Sequence, residues 1–215
     1  MSAKGLELQE RDIEVLRLAY RFRFCLGRHV RVLTGFSGAS TADRRLKMLI
    51  EAGYLERKKL LYGVPYLYML THKGRMLLGV NKRADTLRLE RITHDIHVLD
   101  AVIYFIGKTS ASLDTIISEK EMHAGDGFGS RRHYPDFLII KPGGKIAVEI
   151  ETALKSKERL EKNISSNYLE YEYQIWIIGA VPKLHELISG FEREYSNIRI
   201  IPLKEGTGYI SMGDG

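Results

Sequence analysis

Cysteine is nearly absent. Cys25 is the single example among 215 residues, so no disulfide can close within the chain, and a reducing interior is the expected setting. Proline is also scarce, at five residues, which leaves long stretches free to run as unbroken helices and strands. No apolar run approaches the length needed to span a bilayer, and the opening MSAKGLELQERD holds no run of signal-peptide length. These absences give an expectation of a cytoplasmic protein with no membrane partner. Hydrophobic side chains make up 44% of the sequence, enough for a proper core in one large domain or two small ones.

Charge is unevenly placed. Residues 1 to 90 hold 18 of the 33 Lys and Arg but only 9 of the 27 Asp and Glu, a net of +9, against −3 for the remainder. Concentrated positive charge is what backbone phosphates reward, so the asymmetry suits a nucleic-acid-binding module joined to a different domain. A solvated basic face with no partner is the alternative.

Within the basic part, Ile13, Leu16, Tyr20 and Phe24 recur at helical spacing. GRHVRVLTGF reads as a second, brief helix broken at Gly35. A third follows SGAS, with Ser40 and Asp43 spaced as a capping box and Ala42, Leu46, Leu49 and Ile50 as the buried stripe. LERKKLLYGVPYLYML predicts two short strands around Gly63 and Pro65, and THKGRMLL a short closing helix. Three helices with a tight turn before the third, then a hairpin, resemble bacterial winged helix-turn-helix DNA-binding domains. That resemblance places Ser37, Ser40, Thr41, Arg44 and Arg45 toward a major groove and Arg57, Lys58 and Lys59 near phosphates along the wing, with double-stranded DNA as the partner. Arginine can read guanine edges bidentately; Ser and Thr discriminate less. A winged helix used for protein pairing is the competing reading.

VNKRADTLRLE is polar and marks a linker over 81–90. The next segment, ERITHDIHVLDAVIYFIGK, carries Ile92, Ile96, Leu99, Ile103 and Ile106 as a helical stripe. His94 and His97 sit three apart on it, with Asp95 and Asp100 nearby, but no H-E-x-x-H pattern and no fourth ligand accompany them. They read as structural histidines at a domain junction.

The most suggestive stretch is PDFLIIKPGGKIAVEIETALKSKER, residues 135 to 159. Strand parity puts Asp136, Leu138 and Ile140 on one face and Ala147, Glu149 and Glu151 on a face of the returning strand, with Pro142, Gly143 and Gly144 turning between them. A loop of two or four residues sets Asp136 across from Glu149; three would not. Facing carboxylates repel, and a divalent cation would remove the penalty. Leu160, Ile164, Tyr168 and Tyr171 then give a helix, YQIWIIGA a buried strand, VPKLHELISGFEREY an amphipathic helix and NIRIIPL a final strand.

A Pro-Asp, then Glu-x-Glu on the next strand, then helix and strand, resemble the PD-(D/E)XK nuclease-like fold. With the preceding winged helix and HxxH-like helix, the arrangement resembles the replication-relaxation family of plasmid and integrative-element proteins. The expected fold class is therefore α/β (α+β): a winged helix-turn-helix over 1–80, a linker over 81–90, and a PD-(D/E)XK-like domain with a mixed sheet over 91–215. The resemblance implies a metal site of Asp136 and Glu149 for Mg²⁺, with Glu151 and Lys155 (or Lys157) completing a catalytic set. It departs from the pattern at Glu151, where a lysine is expected. Glu119 or Glu121 are candidates for an additional acid. Two functions follow as expectations: a mobile-element DNA-binding protein acting in replication, mobilisation or transcriptional control, or a Mg²⁺-dependent endonuclease. Winged helices that bind palindromes do so as dimers, so a homodimer is a further expectation; no small-molecule ligand is implied.

Overall fold

The computed structural model describes residues 6–36, 38–60, 62–80, 85–109, 111–126 and 132–204. It is mixed α/β, and the chain divides into two compact units at Asp95/Ile96. No helix among the described residues is long and apolar enough to cross a membrane.

The first unit contains α1 (Glu10–Arg21), α2 (Gly27–Leu33), α3 (Ala39–Glu51), a hairpin of β1 (Leu55–Lys58) and β2 (Leu67–Leu70), and α4 (His72–Leu77). Val15, Leu16, Leu18 and Ala19 of α1, Val30 of α2 and Ala42, Leu46 and Leu49 of α3 supply its core. Helix α3 starts one residue before the expected cap: Gly38 is the N-cap, in extended backbone, so Ser40 lies inside the first turn and the Ser40–Asp43 capping box does not form. Gly53, at φ +77°, ends the helix in the left-handed region that favours glycine. The hairpin is antiparallel, with Leu55 opposite Leu70, and Cys25 bridges to Tyr68 through two backbone hydrogen bonds of 2.9 Å. Thr71 caps α4, its hydroxyl accepting from the Gly74 N–H at 3.1 Å. Gly74 itself is dictated by crowding, because a Cβ there would sit 2.3 Å from the Tyr54 carbonyl oxygen.

Helix α5 (Ile92–Lys108) contains the point of division in its first turn. From Ile96 onward the second unit adds β3 (Ile116–Ser118), α6 (Glu119–Ala124), β4 (Phe137–Lys141), β5 (Gly144–Glu151), α7 (Lys157–Glu170), β6 (Tyr173–Ile178), α8 (Pro182–Glu194) and β7 (Ile198–Pro202). The five strands stand in sequence order, antiparallel from β3 to β5 and parallel from β5 to β7. Strand β3 and helix α6 are absent from the sequence expectation; three residues are too few for an alternation signal.

The register assigns the two sheet faces. Leu138, Ala147, Glu149, Trp176 and Ile178 share the face covered by α7 and α8, where Leu160, Ile164, Leu184, Ile188 and Phe191 close over Trp176. Phe137, Ile139, Val148 and Ile177 point the other way, and Phe105 of α5 meets Phe137 edge-on at 6.1 Å. Of the expected α5 stripe, Ile92, Ile96, Leu99 and Ile103 are buried and Ile106 is only half-buried.

Helix α7 corrects a second expectation. Its buried stripe is Leu160, Asn163, Ile164 and Asn167, whereas Tyr168 is exposed and meets Tyr195 edge-on at 5.1 Å. Position 167 lies seven residues after Leu160 and three after Ile164, so helical spacing places an asparagine inward and the more apolar tyrosine outward.

Candidate functional site

The first unit presents cations on α3 and the hairpin. Ser40, Asp43, Arg44, Lys47, Met48 and Glu51 are exposed on one side of α3, with Thr41 half-buried at its edge, and Lys47 lies 3.8 Å from Glu51, which offsets part of its charge. Arg45 does not join them. It lies one 100° step round the helix from Arg44, at the flank facing α1, and its Nε donates to Asp12 Oδ1 at 2.7 Å while Nη2 donates to Asp12 Oδ2 and, at 3.0 Å, to the Glu7 carbonyl. That hydrogen bonding pushes the guanidinium pKa above its ordinary value. The expectation that Arg45 points toward a groove is thus corrected: its fork is committed inside the unit. Ser37 lies outside the described residues.

On the hairpin, Arg57, Lys58 and Lys59 are all exposed. The Arg57 guanidinium stacks over Tyr66 at 4.9 Å and the Lys59 ammonium at 5.6 Å from the same ring, while Lys59 donates to the Val64 carbonyl. Lys58 pairs with Glu56 at 3.0 Å, which offsets part of its charge. Tyr66, unnoticed in the sequence reading, organises the cations of this strand pair.

In the second unit, the turn between β4 and β5 is two residues long, Pro142 and Gly143, with Lys141 opposite Gly144 and Phe137 opposite Val148. One further step in that register brings Asp136 opposite Glu149, as a two-residue loop requires. The side chains are already engaged. Asp136 Oδ2 accepts from the Ile150 N–H at 2.8 Å, standing in for a backbone acceptor where β4 has ended. Glu149, 4% exposed, has Oε1 2.7 Å from His133 Nε2 and 3.1 Å from Asn167 Nδ2, which donates to it. Glu151, 3% exposed, is paired with Lys155. His133, just before the hairpin, thus turns toward Glu149 and not outward. Arg132 pairs with Glu170.

The acids of α6 are also engaged locally. Ser118 caps the helix, and Glu121 Oε2 accepts from the Ser118 N–H at 2.9 Å and its hydroxyl at 2.8 Å, a reciprocal capping box. The expectation that Glu121 supplies a nuclease acid gives way to this role. Nearby, hydrogen bonds from Tyr134 first and His123 second hold the Asp126 carboxyl below the usual carboxylate range.

These carboxylates do not fit a Mg²⁺ centre as they stand. Mg²⁺ requires octahedral oxygen ligation with several retained waters, but Glu149 and Glu151 are buried and turned to an imidazole, an amide and an ammonium. Asp136 has one oxygen committed to the backbone, and no group of three His, Cys, Asp or Glu side chains suited to a metal gathers among the described residues. Sequence could have flagged His133 and Asn167 as polar residues beside or within buried stripes; their partner was not legible.

No protein-family model matches the sequence, and no curated protein or solved structure matches it significantly.

Proposed function

We propose that the protein is a duplex-DNA-binding protein whose first unit is a winged helix-turn-helix. More particularly, it acts in replication, mobilisation or transcriptional control of a mobile genetic element, with a PD-(D/E)XK-like second unit that serves as a non-catalytic platform. The supporting observation is the exposed pair Ser40 and Arg44 on α3 together with Arg57 and Lys59 held over Tyr66, on a unit with a net charge near +9. Arg44 suits a base edge, and the stacked wing cations suit phosphates. The internal commitments of Asp136, Glu149 and Glu151 favour the platform role over cleavage.

The test is selection of a binding site from randomised duplex, followed by titration at several salt concentrations. Arg44→Ala is expected to lose about tenfold or more on the selected site and much less on random duplex, while Arg57→Ala and Lys59→Ala weaken both and flatten the salt slope by about one each. Absence of duplex binding at about 0.1 M salt and tens of micromolar protein, within the usual non-specific range, rejects the reading. Plasmid incubated with protein in Mg²⁺ or Mn²⁺ should stay intact; cleavage that Asp136→Ala abolishes would replace the platform role with a nuclease.

A further inference from the structure

Among the described residues, the sheet face opposite α7 and α8 is incompletely covered. At the end of α5 a cavity of about 510 Å³ opens over the first residues of β5, β6 and β7. Its floor is Ile146 and Ile175, and strand parity places Lys141, Tyr173 and Arg199 on the same face. Lys108, at the last turn of α5, adds a third cation to the lining, and no Asp or Glu among the described residues lines the cavity, although residues 91 to 215 carry a net charge of −3. Lys141 and Arg199 are exposed, and Tyr173 is 61% exposed. In a parallel sheet covered on both faces these positions would continue the apolar runs of Ile146, Ile175 and Ile177. Instead cations and an aromatic ring alternate with isoleucine across four strands.

The geometry points to a binding groove for single-stranded nucleic acid on this face, with Lys141 and Arg199 holding phosphates and Tyr173 stacking a base. Lys141 on β4 is level with Gly144 of β5, and Arg199 on β7 is level through Ile175 with Val148, so the two stand three strand spacings across and four residues along the sheet, roughly 20 Å apart. That is room for more than one phosphate, since phosphates repeat about every 3.4 Å along one strand of a duplex. A duplex would meet the cations but offer no base face to the tyrosine and isoleucines, because its bases are already stacked. A single strand offers both, which is the combination of electrostatic groove and stacking platform that such sites use. The site belongs wholly to the second unit and does not depend on the α3 and hairpin surface of the first unit binding duplex. The same groove chemistry takes DNA or RNA.

The experiment uses the full chain and fluorescein-labelled oligothymidine and oligouridine of about 15 nucleotides, read by anisotropy at several salt concentrations. Both are expected to bind, the tighter one identifying the natural strand type. Lys141→Glu with Arg199→Glu should reduce affinity at least tenfold and lower the salt slope by more than one. Tyr173→Ala should reduce affinity about fivefold or more with little change in slope. Tyr173→Phe, which keeps the ring, should bind as the parent does. Arg44→Ala should leave oligonucleotide affinity unchanged, which separates failure here from failure of the duplex reading. The proposal is overturned if the folded charge-reversal variant, checked by circular dichroism, binds the oligonucleotides as the parent does, or if Arg44→Ala removes the binding. It is equally overturned if polyglutamate binds as tightly as the oligonucleotides, which would make the groove a site for acidic protein.

Discussion

Substitution of Arg45 by alanine should unfold the first unit far more readily than its place among the α3 arginines suggests. Asp12 is 1% exposed and its partner 15%, so removing the guanidinium leaves a carboxylate in the core of the unit with the Gln9 N–H, at 2.7 Å, still donating to it. Breaking a buried pair from one side costs roughly 3–5 kcal/mol. Arg45 reaches solvent along one side, which allows water to replace part of what it supplies, so the lower end, about 3 kcal/mol, is expected. For a unit of this size that corresponds to a fall in Tm on the order of 12–24 °C. Arg44→Ala, on the exposed stripe, should stay within about 0.5 kcal/mol of the parent. Thermal and urea unfolding of the full chain, followed through the transition of the first unit, measures both. A cycle combining Asp12→Ala with Arg45→Ala should show a coupling of about 2 kcal/mol or more. If Arg45→Ala melts within about 2 °C of the parent and instead loses duplex affinity as Arg44→Ala does, the argument fails and Arg45 reads DNA.

Two further outcomes follow from packing. Burial pushes the Cys25 thiol up to about 12, so the thiol stays protonated in the folded unit at neutral pH. A pKa raised above the unfolded value of about 8.5 gives a contribution to stability that is complete below that pH and is lost as pH rises toward 12. A thiol reagent at pH 8 should therefore modify Cys25 only as urea opens the unit; immediate stoichiometric modification in native buffer contradicts this. Gly74→Ala should destabilise by about 1–3 kcal/mol despite alanine's advantage in helices, because the new methyl meets the Tyr54 carbonyl at 2.3 Å and Leu70 Cδ2 at 2.7 Å. An unchanged or raised urea midpoint would show that α4 shifts to accept it.

Periodicity made most elements legible in the sequence: the helical stripes of α3 and α5, and the alternation and turn that set β4 against β5. Helix α1, by contrast, buries Val15, Leu16, Leu18 and Ala19 where Ile13, Leu16, Tyr20 and Phe24 were expected, and leaves Ile13 and Tyr20 half-buried. The missed pieces were those whose signals are short or polar. Strand β3 offers three residues, and Asn167 occupies an apolar slot that hydrophobicity alone assigns to Tyr168. The site was legible in residue type and much less so in direction. Arg44 and Arg45 are adjacent letters, yet 100° of helix separates a solvent-facing arginine from one fastened to Asp12, and the partner lies 33 residues away. Likewise, Asp136, Glu149 and Glu151 were visible as a row of acids, but whether a row of acids is a cup for a cation depends on what else reaches into it. Here His133, Asn167, Lys155 and a peptide N–H do so.

The bond from the Ile150 N–H to Asp136 gives that aspartate a reason to exist that owes nothing to chemistry. It acts as a substitute peptide carbonyl one residue before β4 begins, and an asparagine oxygen could accept the same proton. Selection for folding alone would therefore tolerate asparagine at 136, whereas selection for a cation would insist on the charge.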